Sequence, residues 1–270
     1  MTYYTILPAP ELAAYVRFFW VLHSKASVNQ PYVHRSMADG SAELIFHYQG
    51  QFNEILSSGE LEKSFTAGIH GPSRTCRRFT IKQDFGIFGV YLYPFAVATL
   101  FSIPVTAVSN QMPDLISLLG KAGEELEEKV SLAPDTNSRV AVLSAFLRKK
   151  LMQNQAKKPP AVFTAIQTII QSRGLVNIDC LADQTCLSRR QFERNFKNFS
   201  GFSPKLFARI IRFQAALKEY GNQHKSLTEI GYACGYYDQS HFIHDFKEFS
   251  GYHPSAFFNG KTTENNYRDS

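Results

Sequence analysis

Seven of the side chains between residues 188 and 212 are basic (Arg189, Arg190, Arg194, Lys197, Lys205, Arg209 and Arg212), against the single acid Glu193. Such a concentration suits a polyanion: Lys and Arg neutralise phosphates, and Arg can pair its planar fork with a base edge. The excess is regional. Residues 157–270 hold 15 Lys and Arg against 10 Asp and Glu, whereas residues 1–156 hold 14 against 13. Charge alone equally fits a solvated face, so these residues need a geometry before they have a chemistry.

Other chemistries are not written in the chain. It has no G-x-S-x-G elbow, no H-E-x-x-H and no P-loop, and is not expected to be an enzyme. Cys76, Cys180, Cys186 and Cys234 form no C-x-x-C pair and read as reduced cytoplasmic thiols. His34, Glu43 and His47 lie around the turn "ADGS" (38–41), with Glu43 and His47 on one strand face and His34 across the turn. They lack the close His pair and following Glu of a metal-binding barrel, so neither a metal nor a cofactor is expected. Trp20 with Phe18 and Phe19 reads as strand core, or as the wall of a ligand pocket.

The elements that must position the basic window follow from pattern. Hydrophobic residues make up 44% and charged residues 19% of the 270, enough apolar surface for two folded domains. The start, "MTYYTILPAPELAAYVRFFW", has no export signal, and no run approaches eighteen apolar residues, so a cytoplasmic protein without membrane segments is expected. Up to about Leu92, short alternating runs such as "RFFWVLH", "AELIFHY" and "FGIFGVYLY" are divided by turn signals, which predicts strands, with a short helix over Pro10–Val16. After Pro94 the period becomes helical in "PFAVATLF", "MPDLISLLGKAGEELEEKV" and "SRVAVLSAFLRKKL". In the last, Val140, Leu143, Leu147 and Leu151 form one stripe that either caps the β-rich domain or pairs with a second subunit. The prolines of "MQNQAKKPPA" interrupt the pattern. The expected division is a β-rich sensing or dimerising domain over 1–152, a linker over 153–160, a helical domain over 161–260 and a frayed polar tail over 261–270. The fold class is α+β: a β-rich barrel or sandwich with helices at its C-terminal end, followed by an all-α domain.

The helical domain repeats itself. "FKNFSGFSP" (196–204) returns fifty residues later as "FKEFSGYHP" (246–254). Each closes a unit of short helix, tight turn, second helix and Ser-Gly stop. Ser188 with Gln191 and Ser226 with Glu229 have capping-box spacing, Asp238 can cap the remaining helix, and Ser203-Pro204 starts a connector between the units. At 100° per residue, Phe192, Phe196 and Phe199 cluster opposite Arg190, Arg194 and Lys197, and Phe242, Phe246 and Phe249 cluster opposite Ser240, His244 and Lys247. The copied apolar spacing is core packing. The outward polar faces are not explained by packing, and two such helices on a stiff connector suit successive major-groove segments of DNA.

In these residues the chain resembles the AraC/XylS family of bacterial transcription regulators. The resemblance covers Ala161–Phe258 and rests on Leu181-Ala182, Ser188, Arg194 to Lys197, Ser200 to Pro204, Arg212 with Ala215, Gly235-Tyr236 and "FKEFSGYHP". It implies that Arg189, Arg190, Glu193 and Arg194 face bases or phosphates from the first recognition helix, and Gln239, Ser240, His241 and His244 from the second. Lys197, Arg212 and Lys247 complete the implied DNA-binding set, the two lysines near phosphates. Two positions depart from the family: His244 stands where Arg is usual, and Gly231 where Ala is usual. "LAAYVRFFWVLH", "ADGSAELIFHY" and "GVYLYPFAVATLFSIP" resemble an uncharacterised domain that precedes this DNA-binding domain in many bacterial regulators. The implied partners are double-stranded promoter or operator DNA, RNA polymerase, a small-molecule effector and a second copy of the chain, in the service of activation more commonly than repression. Two alternatives use the same helical domain. A DNA-repair methyl-acceptor would need a zinc-held cysteine cluster, and only Cys76 precedes the linker. A protein-interaction module that has lost DNA binding is favoured by His244 and opposed by Arg190, Arg194 and Lys197.

Overall fold

The computed structural model describes residues 1–154, 160–219 and 225–259; most of the expected linker and the expected polar tail lie outside them. Nine strands precede the helices: β1 (Thr2–Ile6), β2 (Val16–Ser24), β3 (Tyr32–Ser36), β4 (Ala42–Gln49), β5 (Asn53–Ile55), β6 (Leu61–Lys63), β7 (Ala67–His70), β8 (Arg77–Ile81) and β9 (Phe85–Leu92). They form two antiparallel sheets, ordered β1-β2-β9-β4-β7 and β3-β8-β5-β6. The result is an open sandwich and not a closed barrel. Alternation on the long strands explains the layering. Trp20, Leu22, Phe85 and Ile87 pack with Tyr32, Phe52 and Phe79 between the sheets. The alternate residues Phe19, Val21, Phe88 and Val90 pack on the other side, against helices. Strand β9 is therefore buried along its whole length, a central strand covered on both faces.

The helices covering that outer face are α1 (Pro94–Phe101), α2 (Leu115–Leu119), α3 (Lys121–Leu132) and α4 (Thr136–Gln153). Three expectations change here. The helix expected over Pro10–Val16 is a single 3-10 turn, Pro10–Leu12, because β2 begins at Val16 to pair with β9. The long helix expected after Met112 breaks at Gly120, whose φ of 57° ends α2 and starts α3. The stripe on α4 has its partner within the chain: Leu143 and Leu147 are fully buried in the core behind the large sheet, with Val140 and Leu151 packed on it. It caps the β-rich domain, so it offers no argument for a second subunit.

The C-terminal part is all helical: α5 (Ala161–Gln171), α6 (Ile178–Gln184), α7 (Arg189–Ser200), α8 (Pro204–Leu217), α9 (Leu227–Ala233), α10 (Gln239–Ser250) and α11 (Pro254–Phe258). Its core is not self-contained. Met37 and Ala38, from the loop between β3 and β4, and Phe95 of α1 lie buried within it. Phe95 stacks on Phe163 with ring centroids 4.4 Å apart. The Ala38 amide donates to the Phe249 carbonyl at 2.9 Å, and Gln214 of α8 donates to the Ala38 carbonyl.

Candidate nucleic-acid interface

Each expected cap is formed. Ser188 and Gln191 make a reciprocal capping box at the start of α7, and Ser226 and Glu229 make another at the start of α9. Asp238 accepts from the His241 amide at 2.7 Å to begin α10. Ser203 caps α8 with Pro204 in its first turn. Both second helices stop at a glycine in the left-handed region, Gly201 at φ 86° and Gly251 at φ 74°. These local signals fix two units, α6–α7 and α9–α10, on either side of α8. At ~1.5 Å per residue the connector spans on the order of 20 Å.

Burial then orients the second helices. Phe192 and Phe196 are buried and Phe199 is packed against the same core; Phe242, Phe246 and Phe249 are all fully buried. The opposite face of α7 is open, with Arg190, Glu193, Arg194 and Lys197 exposed. On α10, Gln239, Ser240, His244 and Lys247 are exposed and His241 is half-buried. Arg189 is exposed too, but ion-paired to Asp179 of α6, so it joins the two helices of the first unit. Arg212 stands apart from the recognition faces. Its guanidinium donates to the Gly235 carbonyl at 3.2 Å and lies over the Tyr236 ring, bracing the turn of the second unit from the connector.

Two residues went unnoticed in the sequence. Asp245 is fully buried on α10 and receives two bonds from Arg209 of α8, at 2.7 and 3.3 Å. His241 Nε2 and His244 Nδ1 approach the same carboxylate at 3.8 and 3.5 Å. Arg209 also reaches Glu248 at 2.8 Å, and these carboxylates raise its affinity for a proton further. The outer face of α10 itself carries no acid among Gln239, Ser240, His244 and Lys247. The acids sit on the flank turned to α8, and a lone carboxylate at apolar spacing carries no signal that it is buried. The second residue is Tyr237, 88% exposed on the turn that opens α10; the doubled Tyr of "GYYD" was its only mark. Beneath that turn, a Cβ built on Gly231 would meet Phe242 Cβ and Cγ at 3.4 Å, ordinary contact. Gly231→Ala should therefore raise stability by up to about 1 kcal/mol, seen as a higher urea midpoint with unchanged slope.

His34, Glu43 and His47 line, with His70, a cavity of about 50 Å³ between the sheets. Among the described residues, the set whose ligand atoms close to within 4.8 Å is instead His244, Asp245 and Glu248, and Arg209 already holds both of those carboxylates. His47 stands between the rings of Phe52 and Phe65. Burial pushes its pKa down from 6.5 to about 4. The unfolded chain then takes up a proton below pH 6.5 that the folded chain refuses. The stabilisation is complete above pH 6.5, declines below it and is lost as pH falls through 4, worth roughly 3 kcal/mol. His47→Gln should flatten that part of the pH–stability curve, measured by urea unfolding between pH 4 and 7.

Comparison with known proteins finds two family matches. Residues 4–114 match a family described as a domain of unknown function (DUF6597), and residues 181–260 match a helix-turn-helix domain. The HTH-type transcriptional activator RhaS of Escherichia coli O1:K1 is 28% identical over 160 residues, 57% of this chain and 56% of that protein. RhaS of Escherichia coli O9:H4 is 27% identical over 142 residues, 51% of each chain. The chain thus spans about half the length of the curated relatives it matches. Among solved structures, ToxT from Vibrio cholerae O395 bound to (E)-4-(8-methylnaphthalen-1-yl)but-3-enoic acid superposes with a TM-score of 0.50 at 11% identity, covering 97% of this chain and all of that one. That likeness is one of fold.

Proposed function

We propose that the chain, which matches a helix-turn-helix domain at its C-terminus behind a domain of unknown function, is a sequence-specific regulator of transcription of the AraC type. The observation that carries this reading is the pair of polar helix faces, on α7 and α10, left exposed by two copies of one Phe-anchored scaffold. A packing role needs the copied phenylalanines; it does not need the open faces. In this reading α7 and α10 enter successive major grooves, whose centres lie ~34 Å apart along the duplex. Arg190, Glu193 and Arg194 read bases from α7, as Gln239, Ser240 and His244 do from α10, while Lys197, Lys247 and the Tyr237 hydroxyl hold phosphates. Arg189, His241 and Arg212, which have partners within the fold, position these groups.

The two classes of contact are separable by experiment. Arg194→Ala should cost roughly 1–3 kcal/mol at the preferred site and little on other sequences, whereas Lys197→Ala should weaken all sequences alike and reduce the salt slope by about one. The preferred site is first obtained by rounds of selection from random DNA. Equal, sequence-independent losses in both variants would remove Arg194 from the base-reading set. Enrichment of a single segment would mean that α10 positions the protein without reading bases.

Activation is the mode favoured by likeness to the RhaS activators, and in this reading it proceeds through contact with RNA polymerase. The β-rich domain over 1–152 serves as sensor for a small-molecule effector. A homodimer, if formed, must use a surface other than the α4 stripe. No helix among the described residues is long and apolar enough to cross a membrane; in this reading the protein meets its DNA in the cytoplasm and carries out no enzymatic step.

A further inference from the structure

The carbonyls in the last turn of an α-helix have no partner within that helix. At the end of α10, two of them are met from the β-rich domain. The Ala38 amide donates to the Phe249 carbonyl at 2.9 Å, and Arg35 Nη1 of β3 donates to the Ser250 carbonyl at 3.3 Å. The Arg35 guanidinium also lies over the Tyr252 ring, 4.1 Å from its centroid, and Nη1 stands 3.7 Å from Cys76 Sγ. Its charge sits at the negative end of the helix dipole, where a cation is favoured. The fit is close. A Cβ built on Gly251 would fall 2.5 Å from Arg35 Nη1 and 2.9 Å from Cys76 Sγ, so that glycine serves the contact between the domains as well as the turn.

Strand alternation gives Arg35 its direction. Tyr32, His34 and Ser36 of β3 line the cavity between the sheets, which leaves Arg35 on the outer face. The two copies of Phe-Ser-Gly are seated differently. α7 also stops against the β-rich domain, but the neighbours of Gly201 there are Ser109 and Val105. Ser109 Oγ donates to the Val105 carbonyl within its own turn, so that contact is packing. The end of α10 is held by hydrogen bonds and a charge.

The structure assigns Arg35 as a positioning residue that sets, from the β-rich domain, the sequence preference of α10 and leaves that of α7 unchanged. His244 and Lys247 lie in the last two turns of α10, which ends at Ser250. Holding that end fixes the angle at which both side chains meet a groove, and recognition tolerates errors of only about 10–20°. The effect on preference rests on the DNA-reading proposal; the hold on the end of α10 does not.

The test compares the full chain with Arg35→Met, Arg35→Lys and Arg74→Met, the last removing an exposed cation from the same domain. Amide hydrogen exchange is read first, without DNA. In Arg35→Met the Gly251 amide should exchange about fivefold faster or more, relative to the Gly201 amide at the end of α7, as expected when a helix end loses a cation and its bond. Selection from random DNA follows, the α10 segment being the one whose preference Gln239→Ala removes. Arg35→Met should weaken the preference in that segment about fivefold or more and leave the α7 segment as in wild type. Arg35→Lys, which keeps the charge but not the planar stack on Tyr252, should fall between, and Arg74→Met should match wild type. Equal acceleration at Gly251 and Gly201, or equal loss in both segments, overturns the proposal, because Arg35 would then only hold the fold together. So does an unchanged α10 segment, and so does a uniform fall in affinity with a shallower salt slope, the mark of a phosphate contact. A wild type that enriches one segment, untouched by Gln239→Ala, leaves α10 no preference to set and overturns it too. Faster exchange confined to Gly251, in a protein whose wild type selects no sequence at all, would instead count against the transcriptional reading alone.

Discussion

Arg209→Met should destabilise the chain by about 3–5 kcal/mol, the cost of leaving a buried charge without its partner. The charge at risk is Asp245, whose side chain is fully buried, while Arg209 keeps 24% of its own exposed. Among the described residues the guanidinium supplies the only bidentate contact to that carboxylate; His241 and His244 approach no nearer than 3.5 Å. Arg209→Lys keeps the charge but loses the planar fork, so it should fall between wild type and Met. The double variant Arg209→Met/Asp245→Leu removes the buried charge along with its partner and should recover most of the loss. Urea unfolding of the four chains decides the matter. A double variant no more stable than Arg209→Met would show that packing, and not the stranded carboxylate, sets the cost. The pair also bears on recognition, because the Asp245 carboxylate lies 3.8 Å from His241 Nε2 and 3.5 Å from His244 Nδ1. In Asp245→Asn, with the shape kept, both imidazoles lose the carboxylate beside them, and selectivity at the second DNA segment should relax before overall affinity does.

The second large effect is expected at Phe246. Its ring is fully buried and lies 5.4–5.6 Å from those of Phe213, Phe242, Phe257 and Phe258. Phe246→Ala removes a shared neighbour from four aromatic rings on three helices. The surroundings cannot close over the gap without moving α10 itself, so the loss should reach about 3–5 kcal/mol. Phe246→Leu, which fills most of the space, should cost well under half of that. A Phe246→Ala chain as stable as wild type in urea would mean that the repeat "FKEFSGYHP" is not the anchor it is taken for.

What the sequence made legible, and what it hid, divides by range of interaction. Ser188, Ser226, Asp238, Gly201 and Gly251 act within four residues of themselves, and every helix boundary they announce in the second half of the chain is where they place it. The 100° spacing of Phe192, Phe196 and Phe199 likewise survives, because a helix face has few ways to be buried. Short strands such as Asn53–Ile55 and Leu61–Lys63 were missed. They pair with one another as a short hairpin and only β5 reaches β8, a long-range contact, while three residues cannot display a period. Asp245 was invisible for the same reason, since its partner is thirty-six residues away on another helix. The α4 stripe posed a choice between two partners that periodicity cannot resolve, and the core behind β4 and β9 resolved it. In the candidate site, the exposed set on α7 and α10 was readable from face geometry. Which members are held by Asp179, Asp245 or the Gly235 carbonyl was not.

Met37, Ala38 and Phe95 are encoded before the linker but folded after it, inside the core of the helical domain. The boundary that composition draws at residues 153–160 is therefore not the boundary along which the molecule comes apart. A helical half released by cutting there loses three pieces of its own interior and the amide that terminates on Phe249, so it is a different object from the half that works within the whole. Transplanting that half behind an unrelated sensor would carry the reading faces and leave their seating behind. A chimaera that keeps its grip on DNA needs residues 37–38 and 95 to travel with the helices, grafted as a matching surface onto whatever domain takes the place of the first.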